Sequence, residues 1–381
     1  MSSWAVPLSD VIIGEDEIAA VSDVYRSGWL SMGPRTQALE EELGRYVGAN
    51  HAIAVSSCTA ALHLMCLAAG FGPGDEVIVP SLTFVATVNA IAYTGATPIF
   101  ADIASPLEPW ISADATRAAI TQRTRGVMTM TYGGHAGETA AVASICADSG
   151  LLLLEDTAHA LGTRLNGRHL GTFGKAGAFS FFSNKNLAVG EGGAVVTDDP
   201  DFAASVRLLR SHGMTAVSWD RHSGHASGYD VVSRGYNYRI DDPRAELATM
   251  RLRKLDAQNQ QRAALDRRYR ELLGGSGVEC PLAPSPGMEP AHHVFTILLP
   301  EGTDRDRFRA VLTERRIQTS VHYPPVHRFS VYQSGAPELP LTDDYANRTV
   351  TLPLFPHLTH DQQDLVVEAV AAGLADTQRP V

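Results

Sequence analysis

The sequence predicts an α/β protein built around a mostly parallel sheet, and two observations carry that prediction. From about residue 50, strand-like and helix-like segments alternate. The strand-like runs "IAV", "VIV" and "LLLL" are continuously apolar rather than alternating, as in strands covered on both faces. Repeated strand–helix–strand units imply right-handed crossovers with helices on both sides of the sheet.

The elements follow in order. "HAIAVSS" reads as a strand, and "TAALHLMCLAAG" as a helix closed by Gly70. "FGPGDE" is a turn rich in Gly, Pro and Asp. Strand "EVIVP", helix "ATVNAIAYTG" and strand "TPIFADI" come next, then a helix over 113–121. Strand "RGVMTMT", helix "ETAAVASICADSG" and strand "LLLLED" continue the alternation. After "GAFSFF" and "GGAVVT", helix "DFAASVRLLRSHG" closes this region. Residues 213–240 have no clear period but are rich in Gly, His, Trp and Tyr; a loop of that length in a compact protein is usually functional. A single long helix is expected over 243–273. Strand "HHVFTILL", helix "DRFRAVLTERR", strand "TSVHY" and a last helix over 359–374 make a smaller α/β unit, with "CPLAPSPGMEP" as its linker-like approach. The expected division is a large domain, 1–245, with an N-terminal segment 1–35, and a small domain, 246–381.

Of the 381 residues 44% are apolar and 19% charged, which suits a globular chain with a large core. The formal net charge of −11 argues against nucleic acid or an anionic membrane as partner. The four cysteines, Cys58, Cys66, Cys146 and Cys280, form no CxxC pair. With an N-terminus lacking a basic and apolar leader, they point to a reducing, cytoplasmic compartment.

Positive charge falls almost wholly to arginine: of 31 basic residues only Lys175, Lys185 and Lys254 are lysines. Lys185 stands between "FSFFSN" and "GEGG". In open α/β sheets ligands bind beyond the carboxyl ends of the strands. Four features fall at such ends. The helix start near Thr59 and Ala60 offers free N–H groups to a phosphate. Phe84 follows a strand in "PSLTFVAT". Asp156 and His159 follow "LLLL", and Ser180 and Lys185 follow "GAF".

Together these residues match the demands of pyridoxal phosphate (PLP). That cofactor needs a lysine amine, an anion beside its pyridine nitrogen, phosphate donors and an aromatic face. Burial and a nearby cationic ring help the lysine lose its proton. The glycines of "GEGG" would let backbone approach the lysine closely.

In ordered motifs over nearly its whole length the chain resembles the DegT/DnrJ/EryC1/StrS family of PLP-dependent nucleotide-sugar aminotransferases. The motifs include "SGWLSMGP", "GPGDEVIVPSLTFVAT", "EDTAHALG", "FSFFSNKN", "GEGGAVVT", "GYNYRIDD" and "VHYPPVH". The resemblance implies PLP fold type I, with a mostly parallel seven-stranded sheet in the large domain. Lys185 matches the lysine joined to the cofactor, and Asp156 the partner of the pyridine nitrogen. His159 matches a Gln or His near the phenolic oxygen, and Phe84 the aromatic on the ring. Ser180, Thr59 and Ala60 match phosphate contacts. Asn237 matches an asparagine reaching the neighbouring subunit's cofactor phosphate, which implies a homodimer with shared sites. "VSSCTAAL" stands where the family often has "GNGTAAL", and "YGGHAG" where "YGQPA" is commoner.

The resemblance further implies L-glutamate as donor and a nucleoside-diphosphate keto sugar as acceptor. Arg234, Arg239, His322, Tyr323 and Arg328 are candidate substrate contacts, several of them cationic donors suited to a diphosphate. "GEGG", "NYRIDD" and "VHYPPVH" resemble members aminating C4 of a dTDP-4-keto-6-deoxyhexose. "GDGG" and "NSRLDE" would mark the C3 alternative. A PLP-dependent sugar dehydratase typically has histidine where Lys185 stands. A non-catalytic relative binding sugar nucleotide would not need the lysine and acid. A Rossmann oxidoreductase lacks its GxGxxG here, and a metal hydrolase would have to use His212, His222 and His225 without an HExxH.

Overall fold

The computed structural model describes residues 4–216, 219 and 228–377. Two helices, α1 (Glu15–Ser27) and α2 (Pro34–Val47), precede the alternating region. That region holds β1 (His51–Val55), α3 (Cys58–Ala68), β2 (Glu76–Pro80), α4 (Val85–Ala92) and β3 (Thr97–Ala101). A small hairpin of β4 (Ile103–Ser105) and β5 (Glu108–Ile111) leads to α5 (Ala113–Ala118), β6 (Thr124–Met130), α6 (Thr139–Ser149) and β7 (Leu152–Asp156). Short strands β8 (Arg164–Leu165) and β9 (Arg168–His169) come before β10 (Ala176–Ser180), β11 (Gly193–Thr197) and α7 (Pro200–Arg210).

Seven of these strands form one sheet in the order β1-β11-β10-β7-β6-β2-β3. From β10 to β3 every neighbour is parallel, while β11 runs antiparallel to both β1 and β10. The continuous apolar runs have the expected cause. On β2, Val77 and Val79 enter the cluster under α3 and α4, and Ile78 enters the cluster under α6. On β7, Leu154 and Leu153 divide in the same way. Each such side chain contributes roughly 1.5–3 kcal/mol on burial.

The helix expected over 243–273 is two helices, α8 (Asp242–Leu252) and α9 (Leu255–Leu273). Arg253 and Lys254 break it, and the Lys254 amine bonds Asp16 on α1 at 2.8 Å. The C-terminal part adds β12 (Met288–Glu289), β13 (Phe295–Leu298), α10 (Arg305–Glu314), α11 (Pro340–Arg348), β14 (Thr349–Leu352) and α12 (His360–Thr377). The expected strand "TSVHY" forms only an isolated bridge, Ser320 to Thr351. The N-terminal segment joins this part: Val6 is fully buried in its core, and Gln318 N–H donates to Val6 O at 3.0 Å. No helix among the described residues is long and apolar enough to cross a membrane.

Candidate active site

A cavity of about 430 Å³ opens at the carboxyl ends of the parallel strands. Thr59, Phe84, Asp156, His159, Ser180, Lys185, His322 and Tyr323 all line it. These residues come from stretches more than 250 residues apart and meet at one cavity.

The first wall is the start of α3. Ser57 caps it, and its Oγ accepts the Ala60 N–H at 3.1 Å. Ala60 therefore spends its N–H on the cap. The N–H groups of Cys58 and Thr59 find no acceptor among the described residues. Together they form an anion cradle at a helix N-terminus. Gly193 makes the cradle possible. A Cβ there would sit 2.6 Å from Cys58 N and 2.7 Å from Phe179 O. The glycines after the lysine were expected to let backbone reach Lys185; the close approach is instead between Gly193 and the Ser57–Cys58 turn.

Asp156 ends β7 and is buried. Its Oδ2 accepts from Thr87 Oγ1 at 2.7 Å, and its Oδ1 from Ala158 N–H at 3.1 Å. Burial pushes its carboxyl above the ordinary value, while these two donors and Lys185 pull it back. A cation beside it would complete the neutralisation. Burial also lowers the Lys185 amine from a lysine's ordinary 10.5 to about 8, against the upward pull of Cys58 and Asp156.

His159 is buried and neutral: burial, then Lys185, holds it well below 6.5. Its Nδ1 accepts the Gly133 N–H at 3.3 Å, so its hydrogen sits on Nε2 and points to Tyr323 Oη at 2.9 Å. Tyr323 keeps its own hydroxyl hydrogen for a ligand. The "YGGHAG" turn serves this arrangement: Gly134, at φ +84°, has His159 O only 2.7 Å from where its Cβ would be. Phe84 stands 54% exposed at the mouth, its ring 5.9 Å from that of Tyr323. Ser180 Oγ accepts the Phe182 N–H at 3.3 Å.

A second ring of side chains was not anticipated. His293 Nε2 lies 3.4 Å from Lys185 Nζ. Asn186 donates to Asn259 Oδ1 at 2.8 Å and to Ala291 O at 2.7 Å, and its Oδ1 faces His293 Nδ1 at 3.0 Å. Tyr132 Oη donates to His322 O and lies 3.1 Å from Tyr345 Oη. Asn186 adjoins Lys185 in the sequence, but no spacing links His293, Asn259, Tyr132 or Tyr345 to the lysine.

The remaining candidates divide. Tyr236 and Tyr238 stack at 5.0 Å and pack inward with His63, which leaves Asn237 between them exposed and off the lining of its own cavity. Arg234 and Arg239 do not line it either. Arg328 is bound by Asp343 at a separate surface recess. Burial pushes His322 down to about 4, so it is no cation near neutrality, and its Nδ1 lies 2.9 Å from Thr351 Oγ1. The expected cationic group for a diphosphate is therefore not assembled within one chain. Of "NYRIDD", Asp242 is buried and accepts from Gly33 N–H, Thr36 N–H and Thr36 Oγ1 at 2.7–3.0 Å, a role in the fold. Glu191 of "GEGG" does line the cavity. Of the possible metal ligands, His222 and His225 lie outside the described residues. His212 is at a turn with φ +62°. No group of three metal-ligating side chains occurs among the described residues.

The site fits PLP. An unpaired N–H cradle, a buried carboxylate, an amine of lowered pKa and an exposed aromatic face converge on one cavity of suitable size.

Comparison with known proteins agrees. The model of the DegT/DnrJ/EryC1/StrS aminotransferase family matches residues 11–371. The spore coat polysaccharide biosynthesis protein SpsC of Bacillus subtilis is 40% identical over 377 residues, 96% of each chain. The aminotransferase TlmJ of Streptoalloteichus hindustanus is 33% identical and superposes with a TM-score of 0.92 over 98% of this chain and 100% of its own. Spr1654 of Streptococcus pneumoniae, in its PLP form, is 26% identical with a TM-score of 0.92 over the same shares.

Proposed function

Because the chain belongs to the DegT/DnrJ/EryC1/StrS aminotransferase family, we propose that it transfers an amino group from L-glutamate to C4 of a dTDP-4-keto-6-deoxyhexose, with PLP as cofactor. The observation that carries the cofactor reading is the convergence of Lys185, Asp156 and the Cys58–Thr59 N–H groups on one cavity.

When bound, PLP supplies a carbonyl carbon that carries the amine and a cationic ring that takes up the electron pair left when a Cα proton departs. The chain's residues do the rest. Cys58 and Thr59 N–H, with Ser180, hold the phosphate at the start of α3. Asp156 keeps the ring nitrogen protonated, and Thr87 keeps Asp156 charged and aimed. Phe84 would cover one ring face. His159, fixed as the Nε2–H tautomer, orients the Tyr323 hydroxyl, which would be available to the cofactor's phenolic oxygen. Lys185 Nζ holds the proton released at the donor Cα and delivers it on transfer. Its lowered pKa keeps a neutral amine within reach near neutral pH.

In the proposed assembly a second subunit completes the site. Asn237 is exposed between two inward tyrosines, which suits contact across a homodimer interface to the partner's phosphate. Arg239 would serve the nucleotide by the same route. The domain division is part of the proposal, with 1–245 carrying the cofactor and 246–381 closing over it, and residues 5–8 joining the latter. C4 over C3 rests on Glu191 and on His322 and Tyr323 of "VHYPPVH", which line the cavity. SpsC acts in polysaccharide biosynthesis, which accords with a sugar acceptor.

An absorbance spectrum of the PLP-loaded protein before and after L-glutamate tests the donor half. No spectral change with any amino acid would overturn the reading. Offering the aminated form dTDP-4-keto-6-deoxyglucose or its 3-keto isomer, then locating the new nitrogen by NMR, tests regiochemistry. Amine only at C3 would reverse that part alone.

A further inference from the structure

Behind Lys185 lies a second, smaller chamber of about 70 Å³. Lys185, Asn184 and His322 line both spaces, so the two meet at the lysine. Two arginines line the small chamber, Arg251 near the end of α8 and Arg262 on α9, on either side of the helix break. Each is only 6% exposed. Nε and Nη1 of both make no hydrogen bond. Neither arginine has an ion-pair partner among the described residues.

Nearby carboxylates are otherwise engaged. Glu17, whose charge reaches Arg251, accepts the Gly14 N–H at 2.7 Å and lies 3.4 Å from Lys254 Nζ. Asp10, on the chamber wall, faces His357 Nε2 at 3.0 Å. Burial pushes Arg262 down to about 9, with Arg251 adding to the effect. A guanidinium does not shed its proton near neutrality, so an unpaired buried one is costly until an anion arrives. A chamber of this size holds a few waters or one carboxylate. It is small for a diphosphate. The guanidinium fork matches the two oxygens of a carboxylate.

We propose that Arg251 and Arg262 form a subsite for a carboxylate of the amino donor, beside Lys185. The identity of the ligand rests on the aminotransferase reading; the existence of an anion subsite does not. The amine of an amino acid must come to the position of Lys185 Nζ, and its carboxylate is two bonds from that nitrogen. Two unpaired guanidiniums on the wall of a chamber that Lys185 also lines would select amino acids over simple amines.

The probe is glutarate, a dicarboxylate with no amine to react, titrated into the PLP-loaded protein by calorimetry. Arg262→Gln and Arg251→Gln should each weaken glutarate by about tenfold or more and raise the KM for glutamate similarly, with dTDP affinity unchanged. Arg262→Met, which removes an unpaired buried charge, should melt no lower than wild type without ligand, and glutarate should no longer raise its melting temperature. Unchanged glutarate affinity in these variants would make the arginines structural and overturn the subsite, while a wild-type response to glutamate would leave the aminotransferase reading standing. Conversely, glutarate binding that depends on Arg262 in a protein inert to every amino acid would keep the subsite and sink the reading.

Discussion

His293 faces the amine of Lys185 with a lone pair, not a hydrogen: its Nε2 lies 3.4 Å from Nζ. The reason lies in Asn186, the residue after Lys185. Asn186 gives both amide hydrogens to oxygens, so its own oxygen must receive the Nδ1–H of His293. Burial, then the charge of Lys185, holds the ring neutral. His293 can accept a hydrogen from the lysine but cannot compete with it as a cation.

His293→Phe should therefore slow the glutamate half-reaction on the order of 10²-fold, the usual scale for a misplaced reacting group. His293→Gln, which keeps an acceptor, should recover part of the rate. Single-turnover absorbance measures both. Equal rates in the two variants would show that the ring only fills space.

Thr87→Val removes the hydroxyl that donates to Asp156 Oδ2 at 2.7 Å. A hydrogen bond to a charged group contributes about 1.5–3 kcal/mol, so kcat should fall about ten- to hundredfold. Asp156→Asn should be worse than Thr87→Val at every pH. A variant pair in the opposite order would remove Asp156 from the ring-nitrogen role.

The Lys185 amine, lowered to about 8, is charged below that pH and neutral above it. Only the neutral amine can join to the cofactor's carbonyl. Recombination of PLP with the apoprotein should accelerate as pH rises through about 8, with about tenfold slowing per unit below it. Stopped-flow absorbance across pH 6–10 reads the midpoint, and one near 10.5 would contradict the buried amine.

Gly193→Ala would press a methyl into backbone at 2.6 and 2.7 Å on two sides. Neither neighbour is a flexible tip. The expected cost is about 1–3 kcal/mol of stability, together with weaker PLP binding because the Cys58 N–H is displaced. Thermal melting and PLP titration should move together; a stability loss with unchanged PLP affinity would detach Cys58 from the cradle.

Lys185→Ala and Asn237→Asp chains, each inactive alone, should regain some activity when mixed under subunit exchange. One hybrid site would then carry both native residues. No regain, with exchange verified by tagged subunits, would place Asn237 outside the partner's site.

What the sequence disclosed follows from sheet geometry. Thr59, Phe84, Asp156 and Lys185 each follow a strand whose apolar run is readable, and parallel strands deliver their carboxyl ends to one edge. His293 was not readable because it comes from the head of a strand 108 residues beyond Lys185. Nothing local says that it turns toward the lysine. The break at Arg253–Lys254 carries no Gly or Pro and keeps the helical period, so nothing local discloses it; Lys254 there reaches Asp16 on α1. "TSVHY" has strand-like residues, yet only Ser320 finds a partner. Arg251 and Arg262 look like ordinary helix-surface arginines until the N-terminal segment and the C-terminal core close over them.

The strand order also bears on how the chain is made. β1 emerges first but pairs with β11, His51 against Thr197, across almost 150 residues. Through the synthesis of everything between, β1 has no hydrogen-bonded neighbour in the sheet. The ribosome must therefore release five parallel-paired strands before the first can dock, and Gly193 cannot brace the Cys58 turn until then. Long-range closure of this kind is slow and exposes unpaired apolar edge. A nascent chain stalled between β10 and β11 would present β1 and β10 as two bare edges, and it is at that length that chaperone capture should peak.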